Sequence, residues 1–112
     1  MNGTIDVDTI AHADADYPAL TQLLGGYYHQ DWREDHATPE AALQAFVSDA
    51  SSETVAAAAN EIDRLLAAGY DPAALGQLLV DGFDCNYLAE TDGLSASAWL
   101  AQVRDSLRAA AP

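Results

Sequence analysis

Residues 51–69 read Ser51-Ser-Glu-Thr-Val55-Ala-Ala-Ala58-Ala59-Asn-Glu-Ile62-Asp-Arg-Leu65-Leu66-Ala-Ala-Gly69, and their spacing decides the fold class. Val55, Ala58, Ala59, Ile62, Leu65 and Leu66 recur every three or four residues, the period of one helix face. Ser51 or Ser52 supplies a capping oxygen, Glu53 sits at the positive end of the helix dipole, and Gly69 is placed to close the helix.

The same pattern extends outward in both directions. Asp71-Pro72 opens a shorter helix through Leu75, Leu78 and Leu79. A last helix begins near Ser95 and buries Trp99, Leu100, Val103 and Leu107, with Arg104 and Arg108 near its negative end. Toward the N-terminus, Thr38-Pro39-Glu40-Ala41 is a capped helix start, followed by the apolar face Leu43, Phe46 and Val47. Before it, Tyr17-Pro18 starts a helix carrying Leu20, Leu23, Leu24 and Tyr27 on one face. Gly25-Gly26 interrupts that stripe at about 1 kcal/mol per glycine relative to alanine. A neighbouring helix packed too closely for a side chain is the preferred reason, and a bend is the other.

These segments predict an all-α fold, a compact antiparallel bundle-like domain of four to five helices over residues 16–110. They share no fixed period, so they are not a repeat array. Residues 1–15 are expected to form a flexible acidic tail. The brief alternation at Ile5, Val7 and Thr9 finds no second strand to pair with. The stretch from Asp81 to Gly93 is expected to be a loop, with Phe83, Tyr87 and Leu88 tucked in and its acids facing water.

Charge excludes whole classes of partner. Eighteen carboxylates stand against four cations, all arginine (Arg33, Arg64, Arg104 and Arg108), for a formal net charge of -14 among 112 residues. Nucleic acid and anionic lipid recruit proteins through Lys and Arg, so direct binding to either is not expected. No apolar run is long enough to span a bilayer. The acidic N-terminus lacks the basic start and apolar stretch of a secretory signal, and lone Cys85 cannot staple a fold, so a cytoplasmic protein is expected. The acidity either keeps the chain in solution or steers in a basic partner by long-range attraction, and both readings stay open.

The segment Tyr27-Tyr28-His29-Gln30-Asp31-Trp32-Arg33-Glu34-Asp35-His36 is the densest in side chains that carry chemistry. His29 and His36 with Asp31 or Asp35 are zinc-ligand types, but their spacing matches no established pattern. Ser48, Ser51 and Ser52 lie in no glycine-rich elbow, and Gly25-Gly26 leads into tyrosines rather than a phosphate-cradling Lys-Ser. Asp31 with Glu34 is a carboxylate pair in a chain where carboxylates are everywhere. Cys85, between Asp84 and Asn86, has no neighbouring cation to activate it. No catalytic residue, metal or cofactor is therefore expected. Tyr27 and Trp32 read as core anchors, and His29 and Gln30 as side chains that bond backbone where the helix stops.

Tyr17-Pro18-Ala-Leu20-Thr-Gln-Leu23-Leu24-Gly-Gly-Tyr27-Tyr28-His29-Gln30-Asp31-Trp32 resembles the opening signature of the CdiI-type immunity proteins of bacterial contact-dependent growth inhibition systems. Thr38-Pro39-Glu40, Glu61-Ile-Asp-Arg-Leu65-Leu66, Asp92-Gly93-Leu94 and Trp99-Leu100 resemble later blocks in the same order. The likeness spans roughly Tyr17 to Leu107, with Tyr17, Pro18, Tyr27, His29, Gln30, Asp31, Trp32 and Trp99 as its motif residues. The chain departs from it at Cys85-Asn86-Tyr87-Leu88, where family members often carry an aromatic cluster ending in Pro and only Tyr87 keeps the aromatic character. The resemblance implies a cytoplasmic, non-enzymatic helical protein. Such a protein binds and blocks the cognate toxin domain of a large effector, and that domain is often a nuclease with a basic groove. Asp31, Glu34, Asp35, Asp81, Asp84, Glu90 and Asp92 are then the candidate partner-binding acids. The competing readings are an acidic adaptor or chaperone-like module for another basic protein, and a small metal-dependent enzyme using His29 and His36.

Overall fold

Helices occupy most of residues 7–111, which are the residues described in the computed structural model. In chain order they are α1 (Val7–Ala11), α2 (Ala13–Asp16), α3 (Pro18–Tyr27), α4 (Trp32–Asp35), α5 (Pro39–Asp49), α6 (Ser52–Ala67), α7 (Pro72–Gln77) and α8 (Ala96–Ala110). A wide π-helical turn, Leu78–Gly82, extends α7, and a 3-10 turn covers Ala89–Asp92. No strand occurs among the described residues, and five helices carry the fold, as the sequence predicts.

Each of four principal helices starts at a side-chain oxygen. Thr38 accepts from the Ala41 N–H at 3.0 Å, Ser51 from Thr54 at 3.1 Å, Asp71 from Ala74 at 2.8 Å and Ser95 from Ala98 at 3.1 Å. Such caps satisfy donors that a helix cannot satisfy itself, at about 1 kcal/mol each. The fifth start is capped from elsewhere in the chain. Pro18 stands at the first position of α3, and Tyr17 before it caps nothing with its side chain. Instead Glu61, buried on α6, accepts the Leu20 N–H at 2.9 Å. A carboxylate at the positive end of a helix dipole is favourably placed.

The core lies between α3, α6 and α8, with α6 packed against both others. Leu20, Leu23 and Leu24, then Val55, Ile62 and Leu65, then Leu100, Val103 and Leu107 are all buried there. Each such side chain contributes about 1.5–3 kcal/mol when fully buried. At the outer seam of α6 and α8, Asp63 receives Arg104 at 3.0 Å and also Arg108. The hydrogen bond from Arg108, then that from Arg104, holds the Asp63 carboxyl below the usual carboxylate range. An exposed ion pair adds little stability, so its effect is mainly to fix the register of the two helices.

Two expectations are corrected, one at the N-terminal side and one after α7. Residues 7–15 are not a loose tail, because α1 and most of α2 lie within them; residues 1–6 fall outside the described residues. Ala13 of α2 is 1% exposed. It docks on the π-helical turn at Gly82, where an added Cβ would stand 3.2 Å from Ala13 Cβ and 2.7 Å from Leu78 Cδ1. Helices this short depend on docking rather than on intrinsic propensity, and contact through a glycine and an alanine leaves no apolar stripe in the sequence. The loop expected from Asp81 likewise begins later. The Phe83 N–H bonds back five residues to the Leu78 carbonyl at 3.1 Å, and the wide turn brings Phe83 inward, 5.9 Å from the Tyr17 ring.

Gly25 and Gly26 separate. A Cβ on Gly25 would meet the Phe83 carbonyl oxygen at 3.0 Å, whereas one on Gly26 would have nothing within 4 Å. Close approach explains the first, with the chain after the π-helical turn as the neighbour in place of a helix. Gly26→Ala is therefore expected to stabilise the chain by up to about 1 kcal/mol, while Gly25→Ala destabilises it by crowding backbone. Paired urea melts check the opposite signs.

Candidate functional site: an acidic cleft with aromatic walls

Four aromatic rings from distant parts of the chain meet beyond the end of α3. The Tyr28 N–H closes α3 on the Leu24 carbonyl, and the Tyr28 carbonyl accepts the Asn86 N–H at 2.7 Å. That bond draws residues 84–88 alongside and inserts Tyr87 between the signature segment and α8. Tyr28 and Trp99 then pack edge to face at 5.3 Å, Tyr87 and Trp99 at 5.0 Å, Trp32 and Tyr87 at 5.6 Å, and Tyr28 and Trp32 at 5.9 Å. The Tyr28 hydroxyl donates to the Pro39 carbonyl at 2.7 Å, tying the cluster to the start of α5. Pairs of this geometry contribute about 0.5–1.5 kcal/mol each beyond burial.

A cleft of about 560 Å³ opens beside this cluster, lined by Trp32, Tyr87 and Trp99 together with Arg33, Glu40 and Asp92. The Tyr87 hydroxyl donates to Asp92 Oδ2 at 2.6 Å. Burial first, and then that hydrogen bond to a carboxylate, raises the Tyr87 hydroxyl well above its ordinary value. Arg33 holds its guanidinium carbon 4.9 Å from the centre of the Trp32 ring, a cation–π arrangement. The cleft thus offers aromatic faces, two carboxylates and one cation, and nothing resembling a nucleophile with its base.

Of the acids singled out in the sequence, Asp92 alone lines this cleft. Asp31, Glu34 and Asp35 are exposed on or beside α4, next to the buried Trp32. Asp81 and Asp84 are exposed on either side of buried Phe83, and Asp84 takes the left-handed conformation at φ 56°, which aspartate tolerates better than most residues. Glu90 is exposed on the 3-10 turn. The candidates therefore lie on three separate segments rather than in one cluster.

The motif residues divide between core and surface. Trp32 is buried as a core anchor, and Tyr27 is half-buried with its hydroxyl on Asp49 at 2.8 Å. His29 Nδ1 accepts the Asp31 N–H at 3.1 Å, so Nε2 carries the proton toward Asp35 Oδ2, also at 3.1 Å. That is the helix-end bonding expected of His29. Gln30 makes no such bond among the described residues and is exposed. His36 stacks on Tyr27 at 6.3 Å instead of joining His29. Among the described residues, no group of three or more His, Cys, Asp or Glu is arranged to hold a metal ion.

Sequence reasoning missed two carboxylates. Glu40 reads only as a dipole-facing acid, and nothing local announces that Pro39 and Trp99 bring it to the cleft. Glu61 does carry a signal, because it stands at helical spacing from Ala58 and Leu65, on the apolar face.

Cys85 and the tyrosines of the cluster give the region a pH signature. Burial pushes the Cys85 thiol up to about 11 and the Tyr28 hydroxyl far above its usual range. The folded chain keeps protons that the unfolded chain releases nearer 8.5 to 10, so their contribution is complete below about pH 8.5 and is lost as pH rises through about 11. Alkaline titration is expected to show tyrosinate absorbance from Tyr28 and Tyr87, and thiol reactivity of Cys85, only together with loss of helical circular dichroism. Free ionisation of all five tyrosines in a folded chain would contradict this.

A family model described as CdiI immunity protein matches residues 16–107. Among solved structures, the chain is similar to one in the "Crystal structure of CdiA-CT/CdiI complex from Y. kristensenii 33638". The TM-score is 0.78 at 27% identity, covering 82% of this chain and 98% of that one. No curated protein matches the chain. Among the described residues, no helix is long and apolar enough to cross a membrane.

Proposed function

This chain belongs to the CdiI immunity-protein family, and from that premise we propose that it binds the cognate CdiA-CT toxin domain in the cytoplasm and neutralises it by protein–protein contact. An immunity protein works by occupying its partner, and it is not an enzyme. The observation that carries the reading is the likeness to a chain from a CdiA-CT/CdiI complex, over 82% of this chain and 98% of that one.

Charge supports a basic partner. A surface at net charge -14 attracts a positively charged domain and speeds its encounter. A nuclease is the toxin class that must carry such charge, because its groove has to receive phosphates. The signature block supports the reading indirectly. Tyr28 and Trp32 are buried and hold the scaffold, which leaves recognition to exposed side chains. Asp31, Glu34, Asp35, Asp81, Asp84, Glu90 and Asp92 are all exposed and remain the proposed contact acids.

The test is growth. Inducing the toxin domain encoded immediately upstream should arrest cells, and co-expression of this chain should restore them. Persistent arrest in cells that contain the folded chain counts against the proposal.

A further inference from the structure

We propose that the toxin domain seats an apolar surface, flanked by basic side chains, on the patch formed by Val80 and Leu88, with Asp81 and Glu90 as the acidic rim. The inference rests on the reading of this chain as a toxin-binding protein and gives that contact a place and a chemistry.

The first support is exposure where the sequence predicts burial. Leu88, expected to be tucked in with Phe83 and Tyr87, is 50% exposed, and Val80 on the π-helical turn is 44% exposed. Leu88 has an extended backbone, and its neighbours Tyr87 and Ala89 are both buried, so its own side chain is turned out. Val80 and Leu88 border one groove, with Leu79, Tyr87 and Ala89 among its other walls. Apolar side chains exposed singly are ordinary, whereas two that share an apolar groove form a patch.

The second is that the patch is held ready. The turn that carries Val80 is closed by the Phe83 N–H on the Leu78 carbonyl at 3.1 Å and the Cys85 N–H on the Leu79 carbonyl at 2.9 Å. The Leu88 carbonyl accepts the Thr91 hydroxyl at 2.7 Å and the Thr91 N–H at 3.1 Å. Surface fixed before association spends little free energy on ordering when a partner arrives.

The third is what shape and charge say of the occupant. The groove holds only about 20 Å³. Pockets for small molecules run to roughly 300–1,000 Å³, so this surface suits a protein face instead. Glu90 lines the groove and Asp81 follows Val80, and both carboxylates are exposed. An apolar centre with a charged rim is the usual anatomy of a protein interface. A second copy of this chain is disfavoured, because a two-fold contact sets the same acids against each other in a molecule of net charge -14. A basic partner turns that rim into attraction.

Calorimetric titration of the upstream-encoded toxin domain into the full chain tests this with Leu88→Ala, Val80→Ala and the double variant. Leu66→Ala is the control, since Leu66 is half-buried on α6 and does not line the groove. Helical circular dichroism confirms that each variant is folded. Leu88→Ala is expected to weaken the Kd about tenfold, the double variant about thirtyfold or more, and Leu66→Ala less than about threefold. The loss in the double variant should be similar at low ionic strength and at physiological salt, because apolar contact is not screened. Asp81→Asn combined with Glu90→Gln should instead weaken binding mainly at low ionic strength. A double variant that binds within about threefold of Leu66→Ala, while wild type binds tightly, overturns the inference and leaves the toxin-binding reading standing. So does a dimer of the free chain, seen by light scattering, that Leu88→Ala converts to monomer. Failure of wild type to bind overturns both.

Discussion

Trp99→Ala is expected to destabilise the chain by about 3–5 kcal/mol, the range for deleting a buried aromatic side chain. Trp99 is 5% exposed and packs on both Tyr28 and Tyr87. Its removal leaves a hole where α8, the signature segment and residues 84–88 meet, and two edge-to-face pairs vanish with it. A domain of this size is stable by only about 5–15 kcal/mol in total, so the variant should approach its folding margin near 37 °C. Trp99→Phe keeps a ring in place and should recover a good part of the loss. Urea denaturation followed by circular dichroism measures both. A Trp99→Ala loss below about 1 kcal/mol would mean that the aromatic cluster does not hold these three segments together.

Glu61→Ala should have the next largest effect, about 1–3 kcal/mol, because it strands a buried backbone donor. Glu61 is 6% exposed, and its Oε1 takes the Leu20 N–H at the start of α3. Alanine would suit α6 better by helix propensity alone, so a loss reports the long-range cap and nothing local. Glu61→Gln keeps an acceptor and should cost less. Hydrogen exchange gives an independent readout: the Leu20 amide should lose protection in Glu61→Ala and keep most of it in Glu61→Gln. Equal stability of all three chains would mean that Glu61 does not cap α3.

What the sequence made legible follows from where the information lies. Helix starts such as Thr38-Pro39, Ser51 and Asp71-Pro72 are written within three or four residues, as are the apolar stripes of α3, α6 and α8, and these elements form where they read. Helices α1 and α2 were illegible because they dock through Ala13 against Gly82, two small residues some 70 positions apart whose complementarity leaves no periodic trace. The π-helical turn was illegible for a related reason. Its wide bond from the Phe83 N–H to the Leu78 carbonyl goes with the packing of Phe83 against Tyr17, far away in the sequence.

The candidate site divides in the same way. Trp32 and Trp99 stand out as rare residues on apolar faces, and the loop aromatic Tyr87 reads as tucked inward. That these rings share one cluster depends on the Asn86 N–H to Tyr28 carbonyl bond, which no spacing rule predicts. Acids could be counted but not placed. In a chain with 18 carboxylates, choosing by neighbourhood picked Asp92 at the cleft and passed over Glu40, which only the fold brings there.

As proposed, this acidic helical scaffold acts by gripping a positively charged toxin domain. Size-exclusion chromatography with light scattering, on an equimolar mixture of the chain and its upstream-encoded toxin domain, tests it most directly. A single peak with the summed mass of both proteins is expected, at low ionic strength and at physiological salt. Two separate peaks at low ionic strength, where attraction between opposite charges is strongest, would contradict it.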